Sequence, residues 1–161
     1  MIVVSDTSPL SNLFIIGRLE LLHQLFEKIV VPTAVMNELL ELEKRGIDLS
    51  LIKNAPWIDV VEVKHIDSIQ KLLIDLDRGE AEAIVLAESM HADWLLIDET
   101  KGRNIAKLHG LRIVGLLGIL LLAKEKGLIS SVKPLITELI SKAKFRIDDG
   151  LYHKIISLAQ E

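Results

Sequence analysis

Residues 1–10 read MIVVSDTSPL and residues 93–100 read DWLLIDET. In each, a short apolar run stops at an aspartate, Asp6 in the first and Asp98 in the second. Runs this short and this rich in Val, Ile and Leu read as buried strands. Three further stretches resemble them: KIVVP, WIDVVEV and LRIVG, the second alternating as a more exposed strand does. Between the strands the period lengthens to that of helices. PLSNLFIIG and RLELLHQLF follow the first strand, and TAVMNELLELEKRG, entered at Pro32-Thr33 and closed by Gly46, follows the second. DSIQKLLIDLD and GEAEAIVLAESMH precede the fourth strand, and GRNIAKLHG separates it from the fifth. From LLGILLLAKEKG onward the chain reads as helical. Apolar strands alternating with helices predict a mainly parallel five-stranded sheet covered on both faces, a three-layer α/β/α sandwich. Ligands of such sheets sit beyond the carboxyl ends of the strands, where Asp6 and Asp98 lie.

The chain has 161 residues, half of them hydrophobic, which predicts one domain over 1–161 with a substantial core. Within it, 1–120 carries the acidic residues of interest and 121–161 is a helical part packed against them. With no cysteine, a disulfide framework and thiolate chemistry are excluded. There is no basic leader, and the longest apolar run, Ile113 to Ala123, is too short to span a bilayer, so a soluble cytoplasmic protein is expected. Charge is segregated: residues 1–100 hold 8 Lys and Arg against 18 Asp and Glu, and residues 101–146 hold 10 against 2. That pattern suits an acidic site beside a basic surface, or equally two solvated helix faces.

Four carboxylates can converge under this topology. Asp6 and Asp98 meet if their strands are neighbours at the sheet centre. Glu38 lies at the edge of the apolar arc formed by Val35, Met36, Leu39, Leu40 and Leu42, and reads either as a group reaching over the sheet edge or as an ordinary boundary glutamate. Glu80 falls with Ala83, Ile84 and Ala87 on the packed side of its helix, whereas Glu82 falls on the wetter side. A first-turn glutamate also complements the helix dipole, an alternative that stays open for Glu80. Carboxylates gathered in a partly desolvated site repel one another, and a divalent cation with hard oxygen ligands relieves that repulsion. By its apolar run Asp98 is expected to match Asp6 in register and is preferred to Glu99, whose side chain should point the other way; Glu99 then serves a second ion or orients a water.

Other chemistries find no support. The five histidines are scattered without a ligand-spaced pair, and no Walker loop, GxGxxG fingerprint or GxSxG elbow occurs.

Taken together, VVSDTSPL, VVPTAVMNELL, GEAEAIVLA and LLIDETKGRNIA resemble, in order and spacing, the PIN-domain family of metal-dependent ribonucleases, in particular stand-alone members like VapC toxins. The resemblance covers about residues 1–120, and it implies a PIN-like fold. It also implies that Asp6, Glu38, Glu80 and Asp98 are a catalytic quartet binding Mg²⁺ or Mn²⁺, with Thr7 or Ser8 touching a water or phosphate. Two departures stand out: the third acid is often Asp where this chain has Glu80, and many members place the fourth one residue later, which keeps Glu99 in contention. The implied activity is endonucleolytic hydrolysis of RNA leaving a 5′-phosphate and a 3′-hydroxyl. Lys101, Arg103 and Lys107 are the nearest cations for substrate phosphates. The same likeness implies an antitoxin partner, and the apolar LLGILLLA and LITELI segments suit either a homodimer interface or the core.

Two rivals remain at this level. One is a catalytically silent PIN fold acting through nucleic-acid or protein contacts. The other is an Asp-dependent phosphatase or receiver-type domain, disfavoured because Ser8 stands where the first wants a second Asp and Ser5 where the second wants an acid.

Overall fold

The computed structural model describes residues 1–161. Five parallel strands form one sheet: β1 (Val3–Ser5), β2 (Ile29–Pro32), β3 (Ile58–Val61), β4 (Trp94–Leu96) and β5 (Ile113–Val114), in the order β3-β2-β1-β4-β5. Every pairing is parallel. Ten helices connect and flank them: α1 (Thr7–Ile15), α2 (Glu20–Phe26), α3 (Thr33–Leu40), α4 (Ser50–Lys53), α5 (Ile66–Leu72), α6 (Arg78–Ser89), α7 (Thr100–Leu108), α8 (Leu116–Glu125), α9 (Lys133–Lys142) and α10 (Asp149–Leu158). The chain moves from β1 to β2 on one side and later returns to β4 on the other. The crevice between β1 and β4 is therefore a topological switch point, the position at which such sheets bind ligands.

Alternation along the central strands feeds two cores. Val3, Ile29, Val31 and Leu96 face α1, α2 and α8 to α10. Val4, Val30, Leu95 and Ile97 face α5, α6 and α7. The second core is walled by α6, whose residues from Gly79 to Ala87 are all buried. Small alanines at positions 81, 83 and 87 let that helix lie close against the sheet.

Four sequence expectations are corrected. The helix expected from Thr33 to Gly46 ends at Leu40, and a 3₁₀ turn over Glu41–Arg45 carries the chain to Gly46, whose φ of +82° suits glycine. A short helix, α4, was not anticipated. Glu82 is only 6% exposed, because the Ala34 N–H (3.3 Å) and Arg78 Nε (2.9 Å) both donate to its carboxylate. Lastly, Asp98 does not share the register of Asp6. Ser5 pairs with Leu96, so Ile97 lies across from Asp6 and Asp98 is one residue beyond. Because faces alternate, Asp6 leaves the sheet toward α6 and Asp98 toward α8.

Core packing takes up most of the apolar C-terminal run: Leu116, Leu117, Ile119, Leu120 and Ala123 are buried, as are Leu135, Ile136 and Leu139. No helix is long and apolar enough to cross a membrane.

Candidate active site

Asp6 directly follows the buried strand β1 and occupies the N-cap position of α1. Its N–H continues the sheet by donating to the Leu96 carbonyl at 2.9 Å. The residue is 3% exposed, makes no side-chain cap hydrogen bond, and leaves Oδ1 buried without any partner. A bare buried carboxylate oxygen is costly, and such exceptions cluster at functional sites.

Glu80 is brought to Asp6 by the start of α6. Asp77 caps that helix, accepting the Glu80 N–H at 2.8 Å while Glu80 Oε2 accepts the Asp77 N–H at 3.4 Å. This reciprocal capping box fixes Glu80 in the first turn, where it is 6% exposed. Glu38 reaches the same place from α3. It accepts the Thr7 hydroxyl on Oε2 and the Gly79 N–H on Oε1 at 3.1 Å. Asp98, beyond β4, accepts the N–H of Leu116 at the start of α8 at 2.7 Å, and its Oδ2 is buried without a partner.

These groups feel one another. Burial pushes the Asp6 carboxyl up to about 8; the Thr7 N–H offsets this in part, and the charges of Glu80, Asp77 and Glu38 add to it. Burial likewise pushes Glu80 up to about 7, with Asp77, Glu99 and Glu38 contributing. Asp98 is raised by burial as well, against the opposing Leu116 N–H and Arg103 guanidinium. Glu99 is exposed, yet its charge acts on both Glu80 and Asp98, so it stands between the two halves of the site.

Two of the four acids rest tightly against a glycine. A Cβ on Gly79 would fall 2.6 Å from Glu38 Oε1. One on Gly115 would meet Asp98 Oδ1 at 3.0 Å and an Arg103 guanidinium nitrogen at 2.5 Å. One on Gly102 would meet Ile97 Cδ1 at 2.8 Å, with the Glu80 carboxyl carbon in ordinary contact at 3.6 Å. In none of them does φ demand glycine; the demand is close approach.

The structure thus gathers Asp6, Glu38 and Glu80 on the α6 side, places Asp98 across the crevice on the α8 side, and sets Glu99 at the rim. As they stand, no three carboxylate or imidazole groups are close enough to enclose one ion. The donor set nonetheless fits a hard divalent cation: all-oxygen, mutually repelling, and holding two buried oxygens with no other partner. Asp77 belongs to this acidic group and was missed in the sequence, although the spacing D-x-x-E before an apolar run is a recognisable cap signature.

Among the expected substrate contacts, Thr7 holds Glu38. Ser8 and Arg103 line a groove of about 840 Å³ that also borders Asp98 and Glu99. Arg103 is steadied there by donating to the Ile97 carbonyl at 2.9 Å. Lys101 points elsewhere, 3.5 Å from Asp75, and Lys107 is exposed near the end of α7, outside the groove.

The family model DUF3368, described as a PIN domain, matches residues 2–161. Among solved structures, the chain is similar to a PilT N-terminus domain protein from the hyperthermophilic archaeon Sulfolobus solfataricus. The TM-score is 0.58 at 22% identity, over 74% of this chain and 90% of that one. At that identity the likeness speaks to the fold. No curated protein matches the chain.

Proposed function

The chain belongs to the PIN-domain family, matched from residue 2 to residue 161, and from that premise we propose that it is a divalent-cation-dependent endoribonuclease. The observation that carries this reading is the pair of buried, unpartnered oxygens, Asp6 Oδ1 and Asp98 Oδ2, on either side of the switch-point crevice. Asp6, Glu80 and Asp98 would hold Mg²⁺ or Mn²⁺, with Glu38 and Glu99 completing the acidic surround. Such an ion, when bound, makes water nucleophilic near neutral pH and offsets charge on the attacked phosphate.

The chain's own groups have separate tasks. Glu38 is aimed by the Thr7 hydroxyl and the Gly79 N–H, which keep it beside Asp6 and Glu80 instead of in solvent. Arg103, fixed by the Ile97 carbonyl, presents its remaining N–H groups to a phosphate in the groove. Ser8 offers a hydroxyl at the groove floor. No side-chain nucleophile is needed; attack by water leaves a 5′-phosphate and a 3′-hydroxyl. We further propose the toxin role, with an antitoxin protein covering this crevice in the resting cell and a homodimer as the working form. The phosphatase and receiver alternatives lack support in the family match.

Incubating the purified protein with single-stranded RNA tests the reading. Cleavage is expected with Mn²⁺, and is expected to vanish with EDTA and in Asp6→Asn. Cleavage that survives chelation, or persists unchanged in that variant, would overturn it; no cleavage under any condition favours the silent binding module.

A further inference from the structure

We infer that the turn between α9 and α10, residues Ala143–Ile147, forms the far wall of the substrate site and binds the phosphates of a single-stranded RNA leading away from the acidic crevice. The inference rests on the nuclease reading and adds to it a surface from the C-terminal part of the chain.

The groove of about 840 Å³ is lined by Asp98, Glu99 and Arg103, by the first turn of α8 and by this turn. Its size lies within the range of about 300–1,000 Å³ usual for ligand clefts, room for a few nucleotides of extended strand. Along the turn the side chains alternate. Ala143, Phe145 and Ile147 are half-buried and pack on the larger core, while Lys144 and Arg146 are exposed. Both signs border the groove: Arg103 stands beside Asp98 and Glu99, and Lys144 and Arg146 stand on the turn next to Asp148. None of Arg103, Lys144 and Arg146 has a carboxylate partner within 4.0 Å. Asp148, which also borders the groove, is engaged in capping α10 through the Leu151 N–H at 2.8 Å. Lys144, whose ammonium donates to the Ser141 carbonyl at 3.1 Å, and Arg146 alternate with apolar side chains, a pattern that matches a strand carrying phosphates and bare bases.

The backbone supplies a second argument. Lys144 ends α9 in the left-handed region, at φ +57°, with the Phe145 N–H returning to the Leu139 carbonyl at 3.0 Å. Glycine is the residue at ease in that conformation. A lysine there retains a charge at some backbone cost.

That conflict provides a variant that should fold at least as well as the parent. Binding of a fluorescein-labelled, unstructured 12-nucleotide RNA is measured by anisotropy in EDTA, over a range of salt, for the full chain and for Lys144→Gly/Arg146→Gln. Cleavage of the same RNA with Mn²⁺ and thermal melting are recorded alongside. The double variant is expected to melt no lower than the parent, to bind about tenfold more weakly, and to show a salt slope smaller by about 1.4, or ~0.7 for each lost single-strand phosphate contact. Affinity and slope equal to the parent's, in a protein that still cleaves, would overturn the groove inference alone. A parent that neither binds nor cleaves would overturn the nuclease reading and this inference with it.

Discussion

Two carboxylates at opposite ends of the chain, Asp6 buried and Glu161 at the surface, are treated in opposite ways. The Glu161 side chain accepts the Ser131 hydroxyl, the Val132 N–H at 2.7 Å, the Lys133 N–H at 3.2 Å and the Lys124 ammonium at 2.9 Å. Burial works to raise its pKa, yet those donors bring it down to about 2. Asp6 has burial on the same side of the balance but little against it, and rises to about 8. The first carboxylate spends its charge on the fold, pinning the start of α9 to the end of the chain. The second keeps its charge unspent at a crevice lined by more of the same sign. The fold satisfies one carboxylate with four donors and leaves an oxygen of the other buried without a partner.

The largest test of that contrast is chemical. Asp6→Asn should reduce Mn²⁺-dependent RNA cleavage by about a thousandfold, since several kcal/mol of transition-state stabilisation depends on the ion and each 1.36 kcal/mol is tenfold. A gel-based single-turnover assay reads this. Next comes Gly79→Ala. Alanine is the better helix former by about 0.5–1 kcal/mol, so α6 should persist. The added methyl displaces the Glu38 carboxylate, and cleavage should fall by about 10–100-fold, as it does for residues that orient ligands. An unchanged rate would remove Glu38 from the site.

Stability should move the opposite way to activity. Asp6 and Glu80 have folded pKa values of about 8 and about 7, above those of the unfolded chain, so the folded state holds more protons between pH 4 and 8. Their contribution is present below about pH 4 and is lost as pH rises toward 8. Without divalent ions, Asp6→Asn should therefore raise the melting temperature at pH 8 by about 4–8 °C, equivalent to about 2 kcal/mol. Glu161 has the reverse sign, its contribution present above pH 4.5 and lost as pH falls toward 2. The smallest effect is expected of Glu161→Gln, a fall of about 2–6 °C at pH 7 with cleavage unchanged, from weakening charge-assisted hydrogen bonds. Calorimetric melting at about pH 3, pH 5 and pH 8 separates the two signs, the lower step reading Glu161 and the upper one Asp6 and Glu80.

Much of the architecture was legible because the strand runs are short, apolar and separated by helical periods. VVSD and WLLID also disclosed where the ligand edge lies. What they concealed was an offset of one residue: Ile97 stands between β4 and its acid, whereas Asp6 follows β1 directly, and strand ends cannot be aligned without knowing the pairing. Glu82 misled for a different reason. Helical periodicity put it on a wet side, but α3 packs there and Ala34 and Arg78 satisfy it. The cations Lys144 and Arg146 lie far along the chain from the acids, and only the packing of α8 to α10 brings them to the groove. Proximity in sequence favoured Lys101 and Lys107 instead, of which Lys101 pairs with Asp75.

The most direct measurement is thermal melting at pH 8 with and without Mn²⁺, for the parent chain and Asp6→Asn. At an ion concentration a hundredfold above the dissociation constant, the parent should gain about 2.7 kcal/mol, or roughly 5–10 °C, and the variant almost nothing. Equal shifts in both proteins, or none in either, would contradict the claim that Asp6 is kept bare for a cation.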